Sequence, residues 1–224
     1  MFSAISGDSG YIFIVMRTPL EIFYNFHWIV PGGAARSAQA YVGLLPSLLK
    51  GNDIASVINL RGSKPGWRWW DYETAVCARL GIAHRDVRFN SRRLPTRAML
   101  LDLLAAFDDL PRPFLVKCSG GQDRTSFAAA LYLLHSRGWS ARADAEAQFA
   151  RWPYLHWPKQ QQRWLKAFFS YVAEQAGRRS IRDWISAEYE PARFKAWLEG
   201  RGLADGFRGL HDPAREPVAG PHAP

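Results

Sequence analysis

Short apolar runs and helix-like segments alternate along most of the chain. Apolar runs of about four to six residues bounded by turn residues are typical of buried strands, whereas apolar residues spaced three and four apart indicate helices. The runs that predict strands cover residues 26–30, 55–60, 82–89 and 113–117, and a glycine turn predicts a hairpin between the first run and 34–37. The segments with helical spacing cover 38–50, 67–80, 95–110 and 124–134. This order predicts an α/β fold with a central, mostly parallel sheet of about four or five strands flanked by helices.

Local signals place the ends of two of these helices. Ser37 or a neighbour would cap the first helix, but Pro46 lies inside its pattern and predicts a kink or a break, because proline lacks an N–H and clashes with the preceding turn. Thr96 or Ser91 would cap the helix at 95–110.

Helical patterns continue after the last strand, at 141–149, 160–176 and in two short segments beyond Gly177. We therefore divide the chain into an N-terminal extension at 1–24, an α/β domain at 25–176, extra C-terminal helices at 177–205 and a tail at 206–224. The tail is rich in glycine, proline and charge, a composition that predicts disorder.

The chemistry of the chain is concentrated in one loop. The last apolar run ends at Cys118, and a helix pattern begins near Arg124. Adjacent glycines, Gly120 and Gly121, permit a tight turn whose backbone N–H groups, together with the helix N-terminus, would cradle an anion. The same groups and Arg124 would favour the Cys118 thiolate, and a guanidinium can bind two phosphate oxygens side by side. The residues predicted to bind phosphate are Ser119, Gly120, Gly121, Gln122, Asp123 and Arg124.

The net charge limits the classes of binding partner, and the cysteine content bears on the cellular compartment. Lys and Arg number 29 against 20 Asp and Glu, a net charge of +9 that fits an acidic partner such as a phosphorylated substrate or an anionic lipid surface. The sequence has no run of Lys and Arg interleaved with aromatic residues, so nucleic-acid binding is not predicted. Cys77 falls in an apolar helix pattern and is predicted to be a small core residue. Two cysteines without a disulfide pattern favour a reducing compartment, and the absence of Lys or Arg before the short apolar stretch at 11–16 disfavours a signal peptide, so we expect a cytoplasmic protein. The positive net charge and the tryptophans are compatible with peripheral contact at the inner face of the membrane.

Three tryptophans lie close together at the start of the helix pattern at 67–80. Trp67, Trp69 and Trp70 are near Arg61, Lys64 and Arg68 in the sequence. They would line a substrate entrance or lie on a membrane interface, or they would pack a loop against the body of the protein.

The segment Cys118-Ser-Gly-Gly-Gln-Asp-Arg124-Thr125 resembles the signature loop of cysteine-dependent phosphatases, the protein-tyrosine and dual-specificity superfamily. Its Asp-Arg-Thr ending is similar to that of myotubularin-type lipid phosphatases and of some bacterial tyrosine phosphatases. Arg36-Ser-Ala-Gln39 and Asn59-Leu-Arg-Gly62 resemble bacterial and mitochondrial phosphatases that act on phosphatidylglycerophosphate. Lys117 departs from the pattern, since the family usually carries histidine before the cysteine.

This resemblance implies a dual-specificity-phosphatase-like fold and a phosphomonoester phosphatase that forms a cysteinyl-phosphate on Cys118, without a metal or another cofactor. Its substrate would be a phospholipid such as phosphatidylglycerophosphate. The alternatives are a protein-tyrosine or dual-specificity phosphatase and, in another functional class, a catalytically inactive phosphate-binding module. Thr125 would hydrogen-bond the sulfur and help it leave.

Two aspartates are candidates for the general acid. Asp123 lies in the loop, and Asp86 lies upstream, near the end of the strand at 82–89. Asp123 could instead only cap the helix, and Asp86 could only pair with Arg85 or Arg88. Arg36, Arg61 and Lys117 are predicted at the substrate rim. A structural hydrogen-bonding role is the alternative for Arg36 and Arg61.

Overall fold

The computed structural model describes residues 2–6, 12–16, 18–41, 43–204 and 209. Strands β1 (Phe2–Ser6) and β2 (Ile12–Met16) form an antiparallel hairpin in which Phe2 pairs with Met16. Helix α1 (Pro19–Phe23) follows and is capped by Thr18, whose hydroxyl accepts from the Glu21 N–H. The sequence had predicted only an extension in this region.

A five-stranded sheet forms the centre of the molecule, in the order β3-β4-β7-β5-β6. β3 and β4 form the predicted antiparallel hairpin, and the other neighbours are parallel. The fold class predicted from the sequence is therefore confirmed. The strands are β3 (His27–Val30), β4 (Ala34–Ser37), β5 (Ser56–Asn59), β6 (Ala83–Asp86) and β7 (Phe114–Lys117).

Helices cover both faces of this sheet. Because side chains alternate along a strand, Phe114 and Val116 of β7 pack into one hydrophobic cluster and Leu115 into another on the opposite face. The helices are α2 (Leu45–Gly51), α3 (Arg68–Leu80), α4 (Arg97–Asp109), α5 (Asp123–Arg137), α6 (Arg142–Ala147), α7 (Trp164–Gln175), α8 (Ile181–Glu188) and α9 (Pro191–Glu199).

Helix α5 is the central helix of the larger cluster. Ten consecutive residues, 125–134, are buried, so the helix is enclosed on all sides and not only along one stripe. Side chains of α4, α7, α8 and α9 pack in the same cluster. The loop that precedes α5 is thus attached to the most deeply buried helix of the fold.

Three predicted boundaries differ from the structure. The first flanking helix begins at Leu45 and not after Ser37, because Pro46 fits only in the first turn of a helix. The strand predicted at 82–89 ends at Asp86, although the Val87 N–H still donates to the Asn59 carbonyl. Thr96, rather than Ser91, caps α4, and α7 begins at Trp164 after a turn of 3-10 helix.

The two predicted C-terminal helices are present as α8 and α9, and Ile185 and Phe194 are fully buried in the large cluster. The tail predicted from Gly206 lies outside the described residues except for Gly209, whose carbonyl accepts from the Leu94 N–H. None of the helices in the described parts of the chain combines the length and apolarity needed to cross a bilayer. The proposed division into domains stays a prediction.

Candidate active site

The predicted strand–loop–helix arrangement is present around Cys118. β7 ends at Lys117 and α5 begins at Asp123, so residues 118–122 form the connecting loop. β7 lies at the middle of the sheet, between β4 and β5, and the loop follows its carboxyl end. Ligands of open α/β sheets bind at this edge. We call residues 118–124 the phosphate loop.

Gly121 holds the phosphate loop against the end of β4. Its φ is +66°, a conformation that residues with a side chain rarely adopt. A Cβ at this position would lie 2.6 Å from the Ala38 nitrogen and 2.7 Å from the Ser37 carbonyl carbon. The Gln39 N–H also donates to the Ser119 carbonyl at 3.1 Å. Only glycine fits such a close approach of two backbones.

The phosphate loop presents unused hydrogen-bond donors. Within the described residues, the backbone N–H groups of Ser119, Gly120 and Gln122 donate to no protein group. Unpaired N–H groups at a helix N-terminus attract anions, because they carry partial positive charge and lack an acceptor. The loop therefore has the donors that a phosphate group needs.

Cys118 lies among these donors with 3% of its surface exposed. Burial by itself raises the pKa of a thiol, but Arg124, the Thr125 hydroxyl and the N–H groups of Thr125 and Gly121 more than offset it, and the pKa of Cys118 is lowered. The Thr125 oxygen lies 3.7 Å from the sulfur. The surroundings of Cys118 thus favour the thiolate.

Arg124 is held beside the loop by backbone carbonyls. One terminal nitrogen donates to the Leu60 carbonyl at 3.3 Å and the other to the Ser119 hydroxyl at 3.1 Å. Both contacts leave the guanidinium partly exposed at the loop. It lines a cavity together with Ser119.

Arg36 lies beneath the phosphate loop and not at the substrate rim. It is fully buried, and its Nη2 donates to the Gly121 carbonyl at 2.9 Å and to the Ser126 hydroxyl at 2.8 Å. Nη1 donates to the carbonyl and side chain of Gln148, and Tyr154 packs on the guanidinium at 4.3 Å. Burial lowers the pKa of Arg36 to about 10, which leaves it charged at neutral pH. This is the structural position that the sequence left open.

Lys117 does not lie on the rim, and that prediction is corrected. Strand alternation turns its side chain to the sheet face opposite Cys118, where only 2% of it is exposed. Its Nζ lies 2.6 Å from Glu73 Oε2 and donates to Gln39 Oε1 at 2.7 Å, and His84 contacts the other Glu73 oxygen at 2.9 Å. Burial lowers the pKa of Lys117 to about 8, against the opposing effect of Glu73. Glu73 has a lowered pKa because His84 and Lys117 outweigh its burial.

Arg61 is the one predicted rim residue that faces the cavity beside the phosphate loop. Its guanidinium lies 3.4 Å from the centre of the Trp69 ring, and its Nη1 donates to Gln39 Oε1 at 3.2 Å and to the Tyr41 hydroxyl at 3.4 Å. Burial lowers the pKa of Arg61. Trp67, Trp69 and Trp70 are all half-buried, so they line or support this cavity more than they project from the surface.

Asp123 is the first residue of α5, and its carboxylate faces side chains from beyond residue 150. Gln162 donates to Oδ2 at 2.6 Å, and the Nδ1 of His156 lies 3.4 Å from Oδ1 without hydrogen-bond geometry. Burial raises the pKa of Asp123, although Arg124 and Gln162 oppose the shift. Burial lowers the pKa of His156 to about 4, so this imidazole is neutral at pH 7.

Asp86 is engaged elsewhere. Both carboxylate oxygens accept hydrogen bonds, Oδ1 from the Asn59 amide at 2.6 Å and Oδ2 from the Trp70 indole at 2.9 Å. The register places Asp86 opposite Asn59, which is itself opposite Lys117. Asp86 therefore lies two strands from the central one, on the sheet face where Lys117 is buried. Arg85, suggested as its partner, pairs with Asp102 and Asp109.

Sequence analysis missed the residues that support the site from other segments. Gln39 and Glu73 anchor Arg61 and Lys117, and Gln162 and His156 contact Asp123. Gln39 stands in the quoted Arg-Ser-Ala-Gln segment, and Glu73 is a carboxylate within an amphipathic helix. Nothing in the sequence connects His156 or Gln162 with Asp123, because the loop that brings them together has no repeated pattern. Cys77 is fully buried, as predicted, and burial raises its pKa to about 12.

Comparison with known proteins bears on the fold. No family model matches the chain, and no curated protein matches it. Solved structures do. Tk-PTP in its active form superposes with a TM-score of 0.52 at 19% identity, covering 66% of this chain and 97% of Tk-PTP. PTPMT1 in complex with PI(5)P superposes with a TM-score of 0.51 at 17% identity, covering 68% of this chain and 99% of PTPMT1. TpbA from P. aeruginosa superposes with a TM-score of 0.50 at 16% identity, covering 79% of this chain and 92% of TpbA.

TM-scores of 0.50–0.52 show a shared fold, whereas identities of 16–19% do not establish a shared reaction. The neighbours are cysteine-dependent phosphatases. The chain thus has the fold of the dual-specificity type of cysteine-dependent phosphatase.

Proposed function

We propose that this protein is a phosphomonoester phosphatase in which Cys118 is the nucleophile. The observation that carries the proposal is the combination of a cysteine with a lowered pKa, unpaired loop N–H groups and Arg124 at the carboxyl end of the central strand. These groups would bind the three nonbridging phosphate oxygens and stabilise their charge in the transition state. A binding module would need the anion site but not an activated thiol.

The reaction would proceed in two steps. The Cys118 sulfur attacks phosphorus, the phosphorus–oxygen ester bond breaks, and the leaving alkoxide takes a proton from Asp123. Water then attacks the cysteinyl-phosphate and gives its proton to the Asp123 carboxylate, while the phosphorus–sulfur bond breaks and the thiolate leaves. The Thr125 hydroxyl, 3.7 Å from the sulfur, would donate to the departing thiolate.

Asp123 is supported as the general acid by its surroundings. A general acid must be protonated at working pH, and burial raises the pKa of this carboxyl. His156, 3.4 Å away, is neutral at pH 7, so it does not hold the Asp123 carboxyl in its charged form. Asp86 has both oxygens occupied on the other sheet face.

Substitution of Asp123 by asparagine tests this role. We expect Asp123→Asn to slow hydrolysis of glycerol phosphate, which has a poor leaving group, by about a hundredfold or more, and that of 4-nitrophenyl phosphate far less. The rate should fall at low pH as Cys118 becomes protonated and at high pH as Asp123 loses its proton. Asp123→Asn should therefore abolish the high-pH decline of the pH–rate profile.

Asp86→Asn is the matched control, and it should keep both the leaving-group dependence of the parent and the high-pH decline. If Asp86→Asn loses them while Asp123→Asn retains them, the acid is Asp86, and Asp123 only caps α5.

A phospholipid such as phosphatidylglycerophosphate is the substrate class that we propose. Exposed large hydrophobic side chains in the described chain lie on three segments near the phosphate loop, 22–23, 41–44 and 152–157. The Asn25 side-chain amide donates to the carbonyls of Gly121 and Tyr154, and the Gln39 backbone N–H donates to the Ser119 carbonyl. Because Asn25, Gln39 and Tyr154 lie in or next to the three segments, these segments flank the phosphate loop. PTPMT1, which shares the fold, was solved with PI(5)P.

The loop at 151–157 is the segment that we expect to contact lipid. Trp152 and Trp157 are 60% and 65% exposed, and Arg151 lies 3.6 Å from the Trp157 ring. Exposed tryptophans beside cations are suited to an anionic membrane interface. A peripheral location at the inner face of the membrane is part of this proposal.

Vesicle binding tests the membrane contact. We expect sedimentation with vesicles containing anionic lipid to exceed that with neutral vesicles, and high salt to release the protein, because charge screening weakens the attraction. The double variant Trp152→Ser, Trp157→Ser should lose most of the binding and keep its activity on 4-nitrophenyl phosphate. Equal binding to both vesicle types would contradict a surface-acting lipid enzyme.

Phosphate release from a panel of substrates decides the class. The panel comprises phosphatidylglycerophosphate, phosphoinositides, inositol phosphates and a phosphotyrosine peptide. A kcat/KM that is highest for phosphatidylglycerophosphate supports the proposal. Preference for the peptide would identify a tyrosine phosphatase, and no release from any member would leave a phosphate-binding module.

A further inference from the structure

The cavity beside the phosphate loop is positively charged. It has a volume of about 250 Å³ and is lined by Arg61, Lys64, Trp67, Trp69, Ser119 and Arg124. Three of these six residues carry positive charge, and none is acidic. In the described part of the chain, no salt bridge involves Arg61, Lys64 or Arg124. None of these three cations therefore forms an ion pair with a carboxylate of the described chain.

Arg61 is rigidly positioned at this cavity. The Trp69 ring supports one face of its guanidinium at 3.4 Å, and Gln39 and Tyr41 both accept from Nη1. Gln39 is itself fixed, because Lys117 donates to its Oε1 and its Nε2 donates to Glu73 at 2.6 Å. Nη2 of Arg61 donates to no described residue. A stacked arginine with free donors is preorganised to bind an anion.

The charges exceed what one phosphate needs. Arg124 and the loop N–H groups already surround the position of the scissile phosphate beside Cys118. Arg61 and Lys64 remain, on the same cavity wall as Arg124. The hydrogen bonds of Arg61 lead through Gln39 to one carboxylate, that of Glu73. Glu73 is buried and already paired with Lys117 and His84. A further anion would relieve the repulsion between Arg61 and Arg124.

We propose that this cavity is a subsite for a second phosphate group carried by the same substrate molecule as the scissile phosphate. The inference rests on the proposed phosphatase function and narrows its substrates to molecules with two phosphate groups, the second a lipid phosphodiester or a free phosphate. Arg61 would bind two oxygens of this group through its planar guanidinium, and Lys64 would add a single charge contact.

Matched soluble substrates test the subsite. We expect the parent enzyme to have a higher kcat/KM for glycerol 1,3-bisphosphate than for glycerol 3-phosphate. Arg61→Gln and Lys64→Gln should each reduce the ratio of the two values, Arg61→Gln by about tenfold or more, the scale of a lost hydrogen bond to a charged group. The exposed Lys50→Gln on α2 has the same change of charge and should leave the ratio unaltered. The kcat/KM for short-chain phosphatidylglycerophosphate is compared with that for glycerol 1,3-bisphosphate. A higher value for the lipid would identify a phosphodiester as the preferred second group, and a higher value for the bisphosphate would identify a free phosphate.

A binding measurement separates this proposal from the proposed reaction. If the parent hydrolyses neither glycerol phosphate, calorimetry on the unmodified protein still compares their affinities. Tighter binding of the bisphosphate that is lost in Arg61→Gln would support the subsite even though the reaction assignment had failed. Equal ratios in the parent, Arg61→Gln and Lys64→Gln would overturn the subsite and leave the phosphatase proposal standing.

Discussion

Replacement of the Cys118 sulfur by oxygen is expected to stop turnover and preserve phosphate binding. The serine hydroxyl in Cys118→Ser would not ionise near neutral pH, whereas the lowered pKa of Cys118 favours its thiolate. The groups proposed to hold the anion, which are the loop N–H groups and Arg124, are unchanged in the variant. We expect no phosphate release above background from 4-nitrophenyl phosphate, and inorganic phosphate should still bind in a calorimetric titration.

The second cysteine provides the control. Cys77 is fully buried in α3, and its pKa is raised to about 12 by burial and by Glu73, so it is a neutral core thiol. Cys77→Ser should therefore keep nearly the parental rate. Acid quenching with labelled substrate should trap a phosphoenzyme in the parent and in Cys77→Ser, but not in Cys118→Ser. Turnover by pure Cys118→Ser protein would rule out the covalent mechanism.

Arg124→Lys should lower kcat by about a hundredfold or more, the scale for loss of one donor that stabilises transition-state charge. Lysine keeps the positive charge but cannot donate two parallel hydrogen bonds to phosphate oxygens. It would also lose the paired contacts of Arg124, from one nitrogen to the Leu60 carbonyl and from the other to the Ser119 hydroxyl. Steady-state kinetics on 4-nitrophenyl phosphate measures the change.

The corresponding exchange at Arg85 controls for general effects of arginine-to-lysine substitution. Arg85 pairs with Asp102 and Asp109 at the surface, and such pairs contribute little to stability. Arg85→Lys should leave kcat unchanged. A nearly parental kcat in Arg124→Lys would mean that charge alone is required at this position, and the bidentate role would be wrong.

The sequence predicted those parts of the fold that depend on local pattern. β7 and α5 were located because the apolar run before Cys118 and the helix pattern after Arg124 each lie within one segment. The start of α2 was predicted wrongly, because the apolar spacing continues through Tyr41 although Pro46 restricts the helix to Leu45 and beyond. The short β6 lies at the sheet edge, where apolar alternation extends past the last paired residue.

The candidate site likewise has a part that the local sequence predicts and a part that depends on tertiary packing. Cys118, Arg124 and Thr125 lie within eight residues, so their association could be read from spacing. The contacts of Lys117 with Gln39, 78 residues away, and of Asp123 with Gln162, 39 residues away, depend on how the helices pack on the sheet. Lys117 is next to Cys118 in the sequence, but strand alternation turns its side chain to the other sheet face, away from the rim.

Arg36 connects the phosphate loop to buried parts of the chain beneath it. Its guanidinium joins β4 to Gly121, Ser126 and Gln148, and loss of such a group leaves buried carbonyls unpaired at about 1–3 kcal/mol each. A genetic screen that scores only lost activity would therefore list Arg36 and Gln148 beside Cys118. Measuring protein abundance in the same screen would separate the two groups, because substitutions at Arg36 and Gln148 would deplete the protein while Cys118→Ser would accumulate as inert enzyme.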